Sequence, residues 1–241
     1  MRNYPALLIL LFSILFVQAS AETILIAPDD SRIACMGRIE LSGQKVRMGF
    51  PGTTIRFVYR GPAPTLKLTG DNANCYFNLA CNGWDPVTIH LKQGANEIAL
   101  QTGPAPKEGW MIELVRRTES WMGTASFDGL VLPADCELLP APAWPVRKLM
   151  FIGDSITCGE DDECFPPEND RTPRTTNITR SYGMLLARWL NAQVHIVAYG
   201  GRGLVRNWDG LATLTPYRFS SNVRCPTILS RNGITTAINQ T

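Results

Sequence analysis

Lys148-Leu149-Met150-Phe151-Ile152-Gly153-Asp154-Ser155 decides how the second half of this chain folds. Lys148 to Ile152 reads as a short buried strand, and it runs without a spacer into small and polar turn residues. A tight strand-to-helix turn needs this order. Glycine tolerates the bend, and the serine hydroxyl is left exposed beside free backbone N–H groups that can face a developing oxyanion. Gly, Asp and Ser also favour ordinary turns and helix caps. Their position directly after a buried strand favours a reactive Ser155.

Downstream, a long polar loop runs from Glu160 to Arg180. Ser181 is placed to cap a helix with apolar Tyr182, Leu185, Leu186, Trp189 and Leu190 at i, i+3, i+4, i+7 and i+8. Val194 to Tyr199 reads as a second buried strand and ends at Gly200-Gly201-Arg202-Gly203. Strand, helix and strand in this order predict a parallel α/β sheet, here the start of a flavodoxin-like one. Ligands of such sheets bind outside the carboxyl ends of the strands, where both the Ser155 turn and the glycine turn fall. By itself the glycine run is a weak signal, since glycines at strand ends are more often plain turns than oxyanion or anion sites.

Upstream the pattern changes at Pro140-Ala141-Pro142-Ala143-Trp144-Pro145, a stiff extended connector. From about Ile24 to Leu139, short strands are broken by Gly and Pro with no helical period. Expected strands include Thr54–Tyr59, Thr65–Leu68, Tyr76–Cys81, Val87–Leu91, Glu97–Gln101 and Trp110–Arg116. Asn82-Gly83-Trp84-Asp85-Pro86 forms a hairpin loop between two of them. Many strands at this spacing predict a β-sandwich of jelly-roll type. The expected organisation is therefore a leader over 1–21, the sandwich over 22–145 and a partial α/β domain over 146–241.

The leader is expected because Arg2 precedes an apolar run from Leu7 to Val17 and the small-x-small site Ala19-Ser20-Ala21. That run is too short to span a bilayer. The reading implies a secreted or periplasmic protein with no membrane anchor after cleavage. The formal net charge is +2, with no basic run that would suggest nucleic acid. Seven cysteines suit an oxidising compartment, and none has metal-binding spacing with histidine, so no cofactor or metal is expected. Cys75 and Cys81 cannot pair if they share one strand. Six residues at about 3.3 Å each hold them about 20 Å apart, and a disulfide needs Cα atoms within about 7 Å.

Phe151-Ile152-Gly153-Asp154-Ser155-Ile156-Thr157-Cys158-Gly159 resembles the first block of the Ser-Gly-Asn-His hydrolases. Ser181-Tyr182-Gly183, Val194 to Tyr199, and the run from Gly201 through Arg206-Asn207-Trp208-Asp209-Gly210 are similar to carbohydrate esterase family 2. So are Tyr76-Phe77-Asn78 and Val115-Arg116-Arg117-Thr118-Glu119 leading to Gly123-Thr124 in the sandwich. The resemblance covers roughly Arg38 to Gly210. It implies a serine esterase that removes O-acetyl groups from plant polysaccharides or their oligosaccharides. In that family Ser155 maps to the nucleophile and Gly201 to an oxyanion donor, with Gly203 as the second choice.

The family's oxyanion Asn lies in a Gly-x-Asn-Asp block and its base in an Asp-x-x-His block, and neither block occurs here. His90 and His195 are the two histidines of the sequence, and both read as strand residues. Pro216 to Thr241 has no periodicity. A reading-frame shift of two bases lets the codons from Asn232 spell a peptide resembling the lead-in to the missing His block. The sequence reading is thus a truncated, inactive esterase with a non-native tail from about 211. The alternatives are a non-catalytic carbohydrate-binding sandwich carrying a vestigial hydrolase fragment, or another Ser-Gly-Asn-His esterase or lipase.

Overall fold

The structure is a computed structural model and describes residues 22–100, 106–165, 172–203 and 206–210. The expected leader, Cys225 and the tail from about 211 lie outside the described residues.

A β-sandwich occupies the first part. One sheet runs β3 (Ile39–Ser42), β4 (Lys45–Met48), β11 (Ala125–Pro133), β6 (Thr65–Gly70) and β9 (Gly94–Ala99), with β1 (Thr23–Ile26) also paired to β11. The other runs β12 (Glu137–Leu139), β5 (Thr54–Arg60), β10 (Trp110–Arg116), β7 (Tyr76–Cys81) and β8 (Val87–His90), with β2 (Ala34–Met36) added on β5. Every pairing in both sheets is antiparallel. Alternation builds the core. Ile55, Phe57 and Tyr59 of β5 point inward, as do Leu66 and Leu68 of β6 and Ile112 and Leu114 of β10. Phe77 and Phe127 fill the space between the sheets.

Strands β7 and β10 have the bounds expected from the sequence. β9 begins three residues earlier than expected, because Gly94 to Ala99 pair residue for residue with Gly70 to Thr65. Cys75, Cys81, Cys136 and Cys158 are free thiols. No described helix is long and apolar enough to cross a membrane.

After the connector come β13 (Arg147–Gly153), a single-turn helix α1 (Ser155–Cys158), a longer helix α2 (Tyr182–Trp189) and β14 (Ala192–Ala198). β13 and β14 pair in parallel from Arg147↔Ala192 to Gly153↔Ala198. Among the described residues this parallel sheet has two strands. A second core joins it to the sandwich. Val115, the outward residue of β10, packs with Cys158, Ile178, Met184, Ala187, Val194, Ile196 and Ala198.

The helix turns its small residues inward. Gly183, Met184 and Ala187 form its buried face, while Tyr182, Leu185, Leu186 and Trp189 are exposed. Small residues win the contact because the helix lies close: a Cβ on Gly183 would come 3.1 Å from the Phe151 ring.

Candidate active site

The candidate site forms where β13 and β14 end side by side. Tyr199 N–H extends their ladder by one bond, donating to Gly153 O at 3.1 Å. Ser155 follows Gly153 by two residues and Gly201 follows Tyr199 by two, so adjacent strand ends deliver both.

On the first strand, Gly153 is required by close approach: a side chain there would collide with Thr157 Oγ1. Asp154 caps α1, its Oδ1 accepting Ile156 N–H at 3.1 Å. Ser155 is therefore the first helical residue, half-buried, with its own N–H unclaimed by the helix. Thr157 Oγ1 and the Tyr182 hydroxyl lie 2.8 Å apart and tie α1 to α2. Ser181 Oγ accepts Met184 N–H at 3.5 Å and caps α2, as its place in the sequence predicts.

On the second strand, Gly201 has φ +74°, a left-handed conformation that favours glycine. The Trp208 ring lies over it, so that a Cβ at 201 would sit 2.5 Å from Cδ1. Trp208 N–H donates to Gly201 O at 3.1 Å and closes the loop back on the turn. Gly203 is similarly hemmed in by the Arg206 backbone.

Glu119 reaches this site from the sandwich, and the sequence analysis gave it no role. Its side chain is fully buried, and Oε2 accepts Gly200 N–H at 2.7 Å. Burial pushes its carboxyl up to about 7, an effect the Gly200 N–H partly offsets. The Glu160 carboxylate pushes it further up, while the Cys158 thiol and Trp121 indole act the other way as donors. Burial and the neighbouring Glu119 in turn push the Cys158 thiol well up, so it stays protonated. The available signal in the sequence was an acidic residue closing a charged run, Arg116-Arg117-Thr118-Glu119, at the end of an apolar strand.

Neither histidine is at the strand ends. His90 stacks on Tyr76 with 4.2 Å between ring centroids, and its Nε2 lies 2.6 Å from Ala73 O. His195 stands in β14 opposite Met150, three residues before the strand ends. Burial, helped by Arg38 and Lys148, lowers its pKa. Among the described residues no group of three or more His, Cys, Asp or Glu is placed to hold a metal ion.

Residues 35–142 match the family model of the carbohydrate esterase 2 N-terminal domain. The chain is 34% identical over 191 residues to an acetylxylan esterase / glucomannan deacetylase of Cellvibrio japonicus, covering 79% of this chain and 52% of that protein. It is 32% identical over 169 residues to the cellulase/esterase CelE of Acetivibrio thermocellus, covering 70% and 19%. A solved family two carbohydrate esterase from Cellvibrio japonicus superposes with a TM-score of 0.73 at 34% identity, over 79% of this chain and 56% of that one. One from Clostridium thermocellum, solved with cellohexaose, gives 0.68 at 29% identity, over 75% and 55%. The chain spans about half the length of the Cellvibrio japonicus proteins it matches. Through the sandwich that residues 35–142 form, the chain belongs to carbohydrate esterase family 2.

Proposed function

We propose that this chain carries the nucleophile half of an ester-hydrolysing site, with Ser155 as nucleophile and acetylated plant polysaccharide as substrate class. The observation that carries the reading is the joint placement of Ser155 and the Gly200–Gly201 turn at the ends of two paired parallel strands. Ser155 Oγ would attack the acetyl carbonyl. The Ser155 and Gly201 N–H groups would receive the oxyanion, the sugar hydroxyl would leave, and water would then release acetate. The strand and helix order around the site supports an α/β hydrolase domain, and the repeated crossing of the chain between the two sandwich sheets supports the jelly-roll reading. The apolar run Leu7 to Val17 followed by Ala19-Ser20-Ala21 supports export.

Among the described residues neither histidine is placed to serve as the base. His90 belongs to the sandwich and His195 to mid-strand, so neither takes the Ser155 proton. Without a base, a residual acceleration of about 10³–10⁴ over water is expected. The test is hydrolysis of 4-nitrophenyl acetate and acetylated xylan by the purified chain and by Ser155→Ala. Slow acetylation of Ser155, seen by mass spectrometry and lost in the variant, is expected. Turnover at an ordinary enzymatic rate of about 1–10³ s⁻¹, or slow acetylation that survives Ser155→Ala, would overturn the reading.

The sandwich has a core of its own, which supports a second reading as a carbohydrate-binding module. Calorimetric titration with cellohexaose, giving the same affinity in the wild type and in Ser155→Ala, would favour it.

A further inference from the structure

Four observations meet at Glu119. Its Oε2 holds Gly200 N–H at 2.7 Å. Its carboxyl is buried with the Cys158 thiol and the Trp121 indole beside it as donors. The carboxylate and the Trp121 indole leave no room for a side chain at 200, where a Cβ would lie 2.6 Å from Oε2 and 3.0 Å from Trp121 Nε1. The backbone of Glu119 is itself anchored, because the buried Arg116 guanidinium donates to its carbonyl at 3.1 Å. Cys158, at the end of the helix that Ser155 begins, faces the same carboxylate. One side chain of the sandwich therefore meets the glycine turn and the end of the helix that Ser155 begins.

We propose that Glu119 is the positioning residue of that site, a carboxylate supplied by the sandwich that fixes the Gly200–Gly201 turn against the helix carrying Ser155. The proposal rests on reading these two turns as one site. An ionised carboxylate accepts an N–H about twice as strongly as a neutral acceptor does, so the turn is held best when Glu119 is charged. The titratable and charged groups facing it are Cys158 and Glu160 beyond α1 and, at its carbonyl, Arg116. The neutral Cys158 thiol can donate, and Glu160 opposes ionisation. With the carboxyl raised to about 7, the grip on Gly200 changes across neutral pH.

The experiment is NMR of the ¹⁵N-labelled full chain from about pH 5 to about pH 9, following the Gly200 amide. In the wild type its shift should titrate in the neutral range. Its hydrogen exchange, corrected for base catalysis, should slow on the alkaline side. Glu119→Gln keeps an acceptor and should abolish the titration. Glu119→Ala should speed Gly200 exchange about tenfold, the loss of one charge-assisted bond, while the Leu66 and Ile112 amides stay protected. If the alanine variant unfolds, the glutamine variant carries the test. A Gly200 amide that does not titrate in the wild type, or titrates unchanged in Glu119→Gln, overturns the proposal.

Labelling of Ser155 by a 4-nitrophenyl phosphonate separates this inference from the proposed function. No labelling at any pH sinks the nucleophile and leaves the Gly200 result to decide the turn. Labelling with the same pH profile in Glu119→Gln as in the wild type shows that Glu119 does not position the site.

Discussion

Arg116 is the largest fully buried side chain and donates to backbone carbonyls rather than to a carboxylate. Its guanidinium reaches Met48 O at 2.9 Å, Thr118 O at 3.2 Å and Glu119 O at 3.1 Å, and also Gly123 O. Burial lowers its pKa, Cys75 and Asp71 act the other way, and the carbonyls replace the water that the cation gives up. A planar fork of five donors suits this geometry and an ammonium does not. Arg116→Met should cost several kcal/mol, since each carbonyl left unpaired costs about 1–3 kcal/mol. Arg116→Lys should recover less than half of that. Urea unfolding followed by tryptophan fluorescence measures both, and a lysine variant as stable as the wild type would refute the account.

At the scale of elements, the two-stranded parallel sheet has one covered face and one open one. Val194, Ile196 and Ala198 pack inward with Leu149 and Phe151, while Met150 and Ile152 are exposed on the other side. Parallel sheets are ordinarily covered on both faces. Trp189, 82% exposed on α2, adds to the apolar surface. Ile152→Thr combined with Trp189→Lys should therefore reduce self-association while shifting stability by no more than about 0.5 kcal/mol per site. Light scattering against concentration, paired with thermal melts, tests this, and equal aggregation of variant and wild type would contradict it.

The elements also differ in how far the sequence revealed them. β7 and β10 were legible to the residue because both are mostly apolar and each borders a turn signal, Asn82-Gly83 after β7 and Gly109 before β10. β11, the longest strand, was not. Asp128 and Gly129 interrupt its middle, where the pairing with β6 shifts register between Phe127 and Gly129. The helix and its Ser181 cap were legible, and its larger apolar residues stay partly exposed because Gly183 and Ala187 take the close contact. The strand ends that carry Ser155 and Gly201 were legible because strand, turn and helix signals surround them. Glu119 was not, since its partner Gly200 is 81 residues away and no local pattern links the two.

For the molecule as a whole, a second contact across the connector sets the acid limit. Arg117 of the sandwich, 3% exposed, pairs with Glu163 and donates to Thr176 O at 2.8 Å and Arg174 O at 2.7 Å. Asn78 Nδ2 donates to Asn177 Oδ1 and Thr179 Oγ1, each at 3.0 Å. Burial raises the Glu163 carboxyl, but the bonds from Asn177 and Arg117 and the charges of Arg117 and Arg180 outweigh it and leave the group below its ordinary value. A depressed carboxyl stabilises above its unfolded value, about 4.3, and that stability is lost as pH falls through the lower folded value. Glu163→Gln should thus loosen the α2–β14 region at pH 7, by up to about 3 kcal/mol with Arg117 left unpaired. The difference should shrink as pH falls through the lowered folded value, where the wild-type carboxyl itself takes up a proton. Hydrogen exchange of the Tyr182–Ala198 amides reads it, and a difference that persists undiminished in acid would contradict the assignment.

The Pro140–Pro145 connector looks like a seam at which genes could be cut and rejoined, with one hydrolase exchanged for another behind the same sandwich. Arg117 and Glu119 make that seam misleading. Both belong to the first piece, yet one clamps the loop before α2 and the other holds the turn after β14. A chimera joined at the prolines inherits a foreign buttress under its glycine turn unless positions 117, 119 and 200 travel together. The heritable unit is the pair of pieces, and descent in this lineage should show them exchanged as one block.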